Sequence, residues 1–364
     1  MVAKNNLRHA VIVCWSLTMV VGPVVATQDE AQGDVFVIEP VTQGVWAALV
    51  VPSPPMYVFA NSLIIEQADG LGVIDSHSSP SAASALIALI DQMSDKPVTW
   101  LVNTHFHGDH VYGNQSYADR YLNLRIIAQQ NTARDIDGKL RASLLKEIED
   151  LPPSIAQREE WISTRTGPGG EVLTDEQVAR LAHSASLRQN HLSELKAMRI
   201  VPPTETFAAE LLLDDVTHPV RLIYVGPAHT EGDAVVYLPK QRVLAVGDLL
   251  EDALPWVDEN THPVAWADYL DELTKLEADF ILPSHGDLHR GTAALERQRA
   301  FFRYLVDAVR ERYGRGETLE QIKAAIDSED VPKPLEEGHR GLRRWPEYVG
   351  SVVEHTYRDL GGQR

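Results

Sequence analysis

The sequence holds a single cysteine, Cys14, among 364 residues. A disulfide framework is therefore excluded, as is any site built on several thiolates. Basic residues are scarce: 33 Lys and Arg stand against 52 Asp and Glu. Such a balance repels phosphate backbones and anionic lipid head groups, so nucleic acid is excluded as a partner. No G-x-S-x-G elbow occurs, which removes the commonest setting of a serine nucleophile. No internal repeat recurs at a solenoid period, and beyond the N-terminus no stretch is long and apolar enough to span a bilayer.

The N-terminus has its own pattern. Lys4 and Arg8 precede the apolar run AVIVCWSLTMVVGPVVA, Val24 and Ala26 occupy the small-residue positions, and polar TQDEAQGD follows. This is the layout of a secretory signal peptide over residues 1–26. Ser16, Thr18, Gly22 and Pro23 interrupt the run, against a membrane anchor. Cleavage would remove Cys14 and take the 33 basic residues to 31 against 52 acids, a charge of −21. The expected product is periplasmic or secreted, with no stable membrane insertion. Its 338 residues suit one large domain with additions or two small ones.

Residues 35–75 read as short β-branched strands: VFVIEPV, GVWAALVVP, SLIIEQ and GLGVID. Residues 80–94 have helical spacing, with Ala83, Leu86, Leu89 and Met93 on one face. VTWLV and RIIA are further strands. Residues 130–200 are polar and helical in composition, divided by Pro152–Pro153 and by GPGG at 167–170. The capping box Thr174–Gln177 opens a helix running to about Met198. This segment is either an insertion near a site mouth or a solvated spacer. Strands return in ELLLDD, VRLIYVG, AVVYLP, RVLAVG and FILPS, with a helix at 266–277 between two of them. Leu295, Phe302, Leu305, Val309 and Tyr313 form a helical stripe, and a second capping box begins at Thr318. The order suggests two packed sheets with helices outside.

Side chains that bind metals follow four of these strands. His105, His107, Asp109 and His110 come after VTWLVNT, His229 after VRLIYVGPA, Asp248 after RVLAVG and His285 after FILPS. Loops at strand ends carry such groups on a rigid base. His105 and His107, two apart, point the same way from extended backbone. Asp109 and His110 then fall where a helix can begin, on a different side, and the glycines let the chain bend. Imidazole and carboxylate suit zinc.

The run His105-Phe-His-Gly-Asp-His110, with AHTEGD at 228–233, GD at 247–248 and SHGD at 284–287, resembles the metallo-β-lactamase superfamily. The resemblance covers roughly 45–290. It implies an α/β fold, the αββα sandwich, over residues 35–290, with a helical insertion at 130–200 and a C-terminal helical extension at 291–364. It implies two metal ions: His105, His107 and His229 bind the first, Asp109, His110 and His285 the second, and Asp248 bridges them. An Asp at 248, where true β-lactamases of the superfamily usually carry Cys or Ser, looks like the glyoxalase II, lactonase and related branches. Exported proteins often placed beside quinoprotein operons share these motifs.

The implied chemistry is hydrolysis of an ester, thioester, lactone or amide in a small-molecule substrate. Two Zn2+ ions, with iron or manganese as alternatives, would sit about 3.5–4 Å apart and bring a shared water's pKa toward roughly 7. Asp109 would orient the nucleophile. Of the other residues, Asp75 either accepts a ligand imidazole's hydrogen or stabilises a turn. Thr230 and Asp233 shape the loop after His229. His77 could approach the metals but reads first as a surface histidine, His262 and Trp256 lie in a loop where substrate could pass, with Trp256 equally a packing residue, and Tyr112 and Asn114 read as lining the helix rather than the pocket. His183, His191, His218, His289, His339 and His355 read as ordinary histidines. Rival readings are a β-lactam hydrolase, a sulfur-dioxygenase-like enzyme with one iron, and a non-catalytic metal-binding module. The substrate and the oligomeric state are not legible.

Overall fold

A computed structural model describes residues 35–334 and 344–362. The signal-peptide reading at 1–26 and His339 lie outside the described residues.

Seven strands form the first sheet, neighbours in chain order: β1 (Phe36–Thr42), β2 (Val45–Val50), β3 (Ser62–Glu66), β4 (Leu71–Ile74), β5 (Val98–Asn103), β6 (Arg125–Gln129) and β7 (Glu205–Phe207). The first four form an antiparallel meander and β4 to β7 run parallel. The second sheet contains β8 (Glu210–Leu213), β9 (Val220–Tyr224), β10 (Ala234–Leu238), β11 (Val243–Glu251), β12 (Phe280–His285) and β13 (His289–Arg290), ordered β13-β12-β11-β10-β9-β8. Only β11 and β12 pair parallel there.

Parallel neighbours need crossovers, and helices supply them. α1 (Pro80–Met93) joins β4 to β5, α2 (Gly108–Val111) and α3 (Asn114–Arg120) join β5 to β6, and α4 (Gln130–Asp137), α5 (Lys139–Thr164) and α6 (Asp175–Ala197) join β6 to β7. α7 (Pro263–Leu273) joins β11 to β12. The chain then runs through α8 (Ala293–Gly314), α9 (Leu319–Ala325) and α10 (Trp345–Asp359).

Alternation along the strands sorts the core into layers. Val45, Leu63, Val102 and Ile127 from the first sheet meet Leu222, Val236 and Ala245 from the second. On the outer face of the first sheet, Ile64, Val73 and Leu101 pack on α1 through Leu86 and Ile90. On the outer face of the second, Leu244, Val246 and Ile281 pack on α7 and α8, where Trp266 stacks on Phe302 at 4.3 Å between centroids. The layers are therefore helix, sheet, sheet, helix. Burial on α1 centres on Ala82, Ala83, Leu86, Ile87 and Ile90, one position around from the expected face.

Two expectations change. Pro152 and Pro153 do not divide the insertion but lie inside α5, on its exposed side. Water can serve the carbonyls that lose their partners there, while Leu151 and Ile155 stay buried and hold both halves of the helix in one cluster. The strand before Asp248 does not stop at Gly247; β11 continues to Glu251 through irregular pairing with β12.

Candidate metal centre

The crossovers deliver polar groups to one edge of the two sheets. The turn after β5 is anchored first. Asp75, at the end of β4 in a left-handed conformation (φ 62°), accepts from the Thr104 amide and hydroxyl, both at 2.8 Å. Ala234 N donates to Thr104 O at 3.0 Å and ties the turn to the second sheet. Two glycines permit the approach. A Cβ on Gly113 would lie 1.8 Å from Ser76 O, and Gly247 (φ 57°) packs so that its Cβ would lie 3.1 Å from Thr104 Oγ1.

Four histidines are then forced into one tautomer, because their Nδ1 atoms face groups that can only accept. His110 Nδ1 donates to Asp75 Oδ2 (2.9 Å), His229 Nδ1 to Trp256 O (3.1 Å) and His285 Nδ1 to Phe59 O (3.2 Å). Thr104 Oγ1 has given its proton to Asp75, so it accepts from His105 Nδ1 at 3.1 Å. Each ring thereby turns its Nε2 toward Asp248, where the four converge.

The donors fall into two groups: His105, His107, His229 and Asp248, and Asp109, His110 and His285. Asp248 stands between them. Its Oδ2 is 3.6 Å from His105 Nε2, 3.5 Å from His229 Nε2 and 3.5 Å from His285 Nε2, and its Oδ1 is 3.3 Å from His110 Nε2. Asp109 Oδ2 lies 3.2 Å from His285 Nε2 and 3.5 Å from His110 Nε2. His229 Nε2 faces His107 Nδ1 at 3.0 Å.

The set fits metal ions on its own chemistry. Buried His105 Nε2, His110 Nε2 and Asp248 Oδ1 have no hydrogen-bond partner of good geometry, which is costly unless something else satisfies them. Burial, then the charge of His110, holds the His105 pKa well below the usual imidazole range. Burial also lowers His107, and with His107 beside it takes His229 to about 4. These rings are neutral and free to ligate. For His110 and His285 burial also disfavours charge, but Asp248 and Asp109 outweigh it and hold both pKa values well above the usual range. Carboxylates that pull protons so strongly onto neighbouring rings will accept cations in their place.

The centre opens into a cavity of about 510 Å³, with Phe59, Trp256 and Asp258 on its wall and Ser143 contributed by α5. All seven residues singled out from the sequence thus meet at one place. Among the rest, Asp75 fills both of its expected roles. Thr230 and Asp233 bond each other, with the Thr230 amide 2.8 Å from Asp233 Oδ2. Trp256 lines the cavity with its side chain largely exposed.

His77 is no surface residue. It is fully buried at φ 71°, bonded to Ala60 O at 2.9 Å with its ring tilted against Phe36, and burial takes its pKa to about 3. His262 turns away from the cavity to Glu231 (3.2 Å) and Asp359 (3.3 Å). Tyr112 packs against the insertion and Asn114 bonds Asn103, so both are structural. Sequence reasoning missed Phe59 and Glu251. Glu251 is buried on the cavity wall, and desolvation together with Asp248 raises its pKa to about 8. Only its place three residues after Asp248 could have flagged it.

Residues 57–285 match the model of the metallo-β-lactamase superfamily. The chain belongs to that superfamily. Its members are typically dinuclear and metal-dependent. The chain is 26% identical over 316 residues to a linear primary-alkylsulfatase from Pseudomonas sp., spanning 82% of this chain and 54% of that protein. It is similar in fold to the stereoselective inverting sec-alkylsulfatase Pisa1 from Pseudomonas sp. (TM-score 0.60, 18% identity, 90% of this chain and 51% of that one). It also resembles the metallo-β-lactamase FIM-1 from Pseudomonas aeruginosa in its mono-zinc form (TM-score 0.51, 19% identity, 75% of this chain and 98% of that one). The chain thus spans about half the length of the alkylsulfatases it matches.

Proposed function

We propose that this superfamily member is an exported dinuclear zinc hydrolase that cleaves a carbonyl-type bond (ester, thioester, lactone or amide) in a small molecule. The observation that carries this reading is the convergence of free histidine nitrogens on a carboxylate, Asp248, placed between two donor groups. His105, His107 and His229 would hold one ion, Asp109, His110 and His285 the other, and Asp248 both. Bound there, the ions supply Lewis acidity and a water of lowered pKa.

The chain's own groups do the rest. Asp109, beside His285 at the cavity floor, accepts a hydrogen bond from the attacking water and fixes its direction. Asp75 holds His110 in the ligating tautomer and makes its ring a better donor. Phe59 and Trp256 wall the cavity with apolar surface that limits bulk water. Export rests on the signal-peptide pattern at 1–26. Among the described residues no helix is long and apolar enough to cross a membrane.

A second reading is hydrolysis of an alkyl sulfate ester. It is favoured by the similarity to the linear primary-alkylsulfatase over most of this chain, and by an apolar cavity beside His285 that would take an alkyl tail.

Metal analysis of protein secreted from cells, joined to a substrate panel, tests both. One alkyl group is offered as carboxylic ester, thioester, lactone, amide and sulfate ester, alongside a chromogenic cephalosporin. The expected result is two zinc ions per chain, a mature terminus at Thr27 and chelator-sensitive turnover of a carbonyl substrate. Turnover of the sulfate ester alone would replace the first reading with the second. A single iron, or flat results from metal-replete protein, would overturn both.

A further inference from the structure

A second cavity, of about 410 Å³, meets the first at Phe59 and His285, which line both. Its walls are mostly apolar: Val51, Pro54, Met56 and Tyr57 from the connection between β2 and β3, and Leu187 from α6. That connection is held in place. Asn61 Nδ2 donates to Pro283 O (3.1 Å) and Gly286 O (2.8 Å), and the Val50 amide donates to Asn61 Oδ1 at 3.0 Å. The insertion is fixed to the same wall. His191 of α6 stacks on Tyr57 at 4.1 Å and bonds Glu147 of α5 at 3.0 Å, and Glu194 accepts from the Ser81 amide at the start of α1.

Arg188 is the arginine in this lining, which also holds His285 and Asp287. Arg188 of α6 lies with its guanidinium 5.9 Å from the Tyr57 ring centre, and Arg158 of α5 stands close by. Each reaches back to a serine one turn earlier, Arg158 to Ser154 Oγ (2.6 Å) and Arg188 to Ser184 Oγ (2.5 Å). Neither lies within ion-pair distance of a carboxylate among the described residues, although the chain carries 52 acids. Both are partly buried, on helices that pack against each other. Burial, then the Arg188 charge, pushes Arg158 below the ordinary arginine range. In so acidic a chain, an unneutralised basic pair beside an apolar cavity is a site complementary to an anion.

We propose that Arg188, backed by Arg158, recognises a negatively charged group on the end of the substrate remote from the scissile bond, with an apolar segment lying between Tyr57, Met56 and Leu187. The substrate class is then an elongated amphiphile with an anion at its far end, such as an ω-carboxylated ester. This inference rests on the hydrolase reading for the role of the metal centre, but the site itself can be measured by binding alone.

Calorimetry on the zinc-loaded full chain tests it with α,ω-dicarboxylates of increasing length, each compared with the monocarboxylate of the same length. One carboxylate occupies the metal centre in both cases. At the best length the dicarboxylate should bind about tenfold tighter or more, the scale of one charge-assisted contact. Arg188→Met should abolish that advantage and Arg158→Met should reduce it. Arg188→Lys should restore part of it, while monocarboxylate affinity stays constant in all three variants. A dicarboxylate advantage absent at every length, or undiminished in Arg188→Met, overturns the proposal. An advantage that depends on Arg188 in a protein turning over none of the panel leaves this site standing and removes the hydrolase reading. Turnover with no such advantage does the reverse.

Discussion

The floor of the centre and the rim around it are built by opposite means. The floor stands on strand ends: β4 gives Asp75, β5 leads into His105 to His110, β11 carries Asp248 and β12 ends on His285. Four of its rings are locked by hydrogen bonds, and His105, His110 and His229 are fully buried. The rim comes from long connections, Val51–Asn61, the helical insertion and the stretch after β11, and its side chains, Phe59 and Trp256 among them, are substantially exposed. A rigid floor holds donors at fixed separation, as metal binding demands. A rim made of loops can change its lining without disturbing that geometry.

The comparison can be broken at four places. Asp248→Ala removes the one carboxylate between both donor groups. Turnover should fall by ~10³-fold or more, since the lost metal chemistry is worth several kcal/mol. Steady-state kinetics with a metal count checks this; full turnover with both metals retained would sink the floor as described. Next comes Phe106→Ala, which deletes the buried ring joining the metal turn to α5 and α6. It should cost about 3–5 kcal/mol in denaturant unfolding. A near-neutral result would mean that the insertion is not packed on the floor.

Asp75→Asn keeps the shape, and Asn tolerates the left-handed backbone. Metal affinity should drop about 10–100-fold in chelator competition, with the fold retained. Unchanged affinity would show that His110 needs no orienting partner.

The smallest effect belongs to His262, away from the floor. Its hydrogen bond to Asp359, against the cost of burial, raises its pKa above the ordinary 6.5. The pair therefore contributes fully below about pH 6.5 and is lost as pH climbs through the raised value. His262→Gln should destabilise by under about 1 kcal/mol at pH 5.5 and by less at pH 8.5. A larger loss at the higher pH in thermal melts would reverse the sign.

The same division explains what could be read in advance. His105, His107, Asp109 and His110 are neighbours in sequence, and His229, Asp248 and His285 each follow a β-branched run, so periodicity and spacing pointed to them. In sequence Asp248 still reads as a loop residue. A β-strand that continues through a left-handed glycine looks, in sequence, like one that ends. His77, in DSHSS, reads in sequence as a surface histidine; its burial depends on Phe36 and Ala60, which reach it only in the fold. Pro152 and Pro153 look like breakers, yet Leu151 and Ile155 are drawn into a cluster with Phe106 and Val111 of the metal turn, Ile136 of α4 and Leu192 and Leu195 of α6.

Local order along the chain was enough to specify eleven of the strands and the seven metal-capable side chains that follow four of them, because each depends on residues a few positions apart. The tautomers of four rings, the place of Arg188 on the second cavity and the sharing of Phe59 and His285 by both cavities arose only on folding. Most are set by groups tens to hundreds of positions distant, such as Phe59 against His285 and Trp256 against His229. Contacts of that range carry no periodic signature, so the tertiary structure alone decides them.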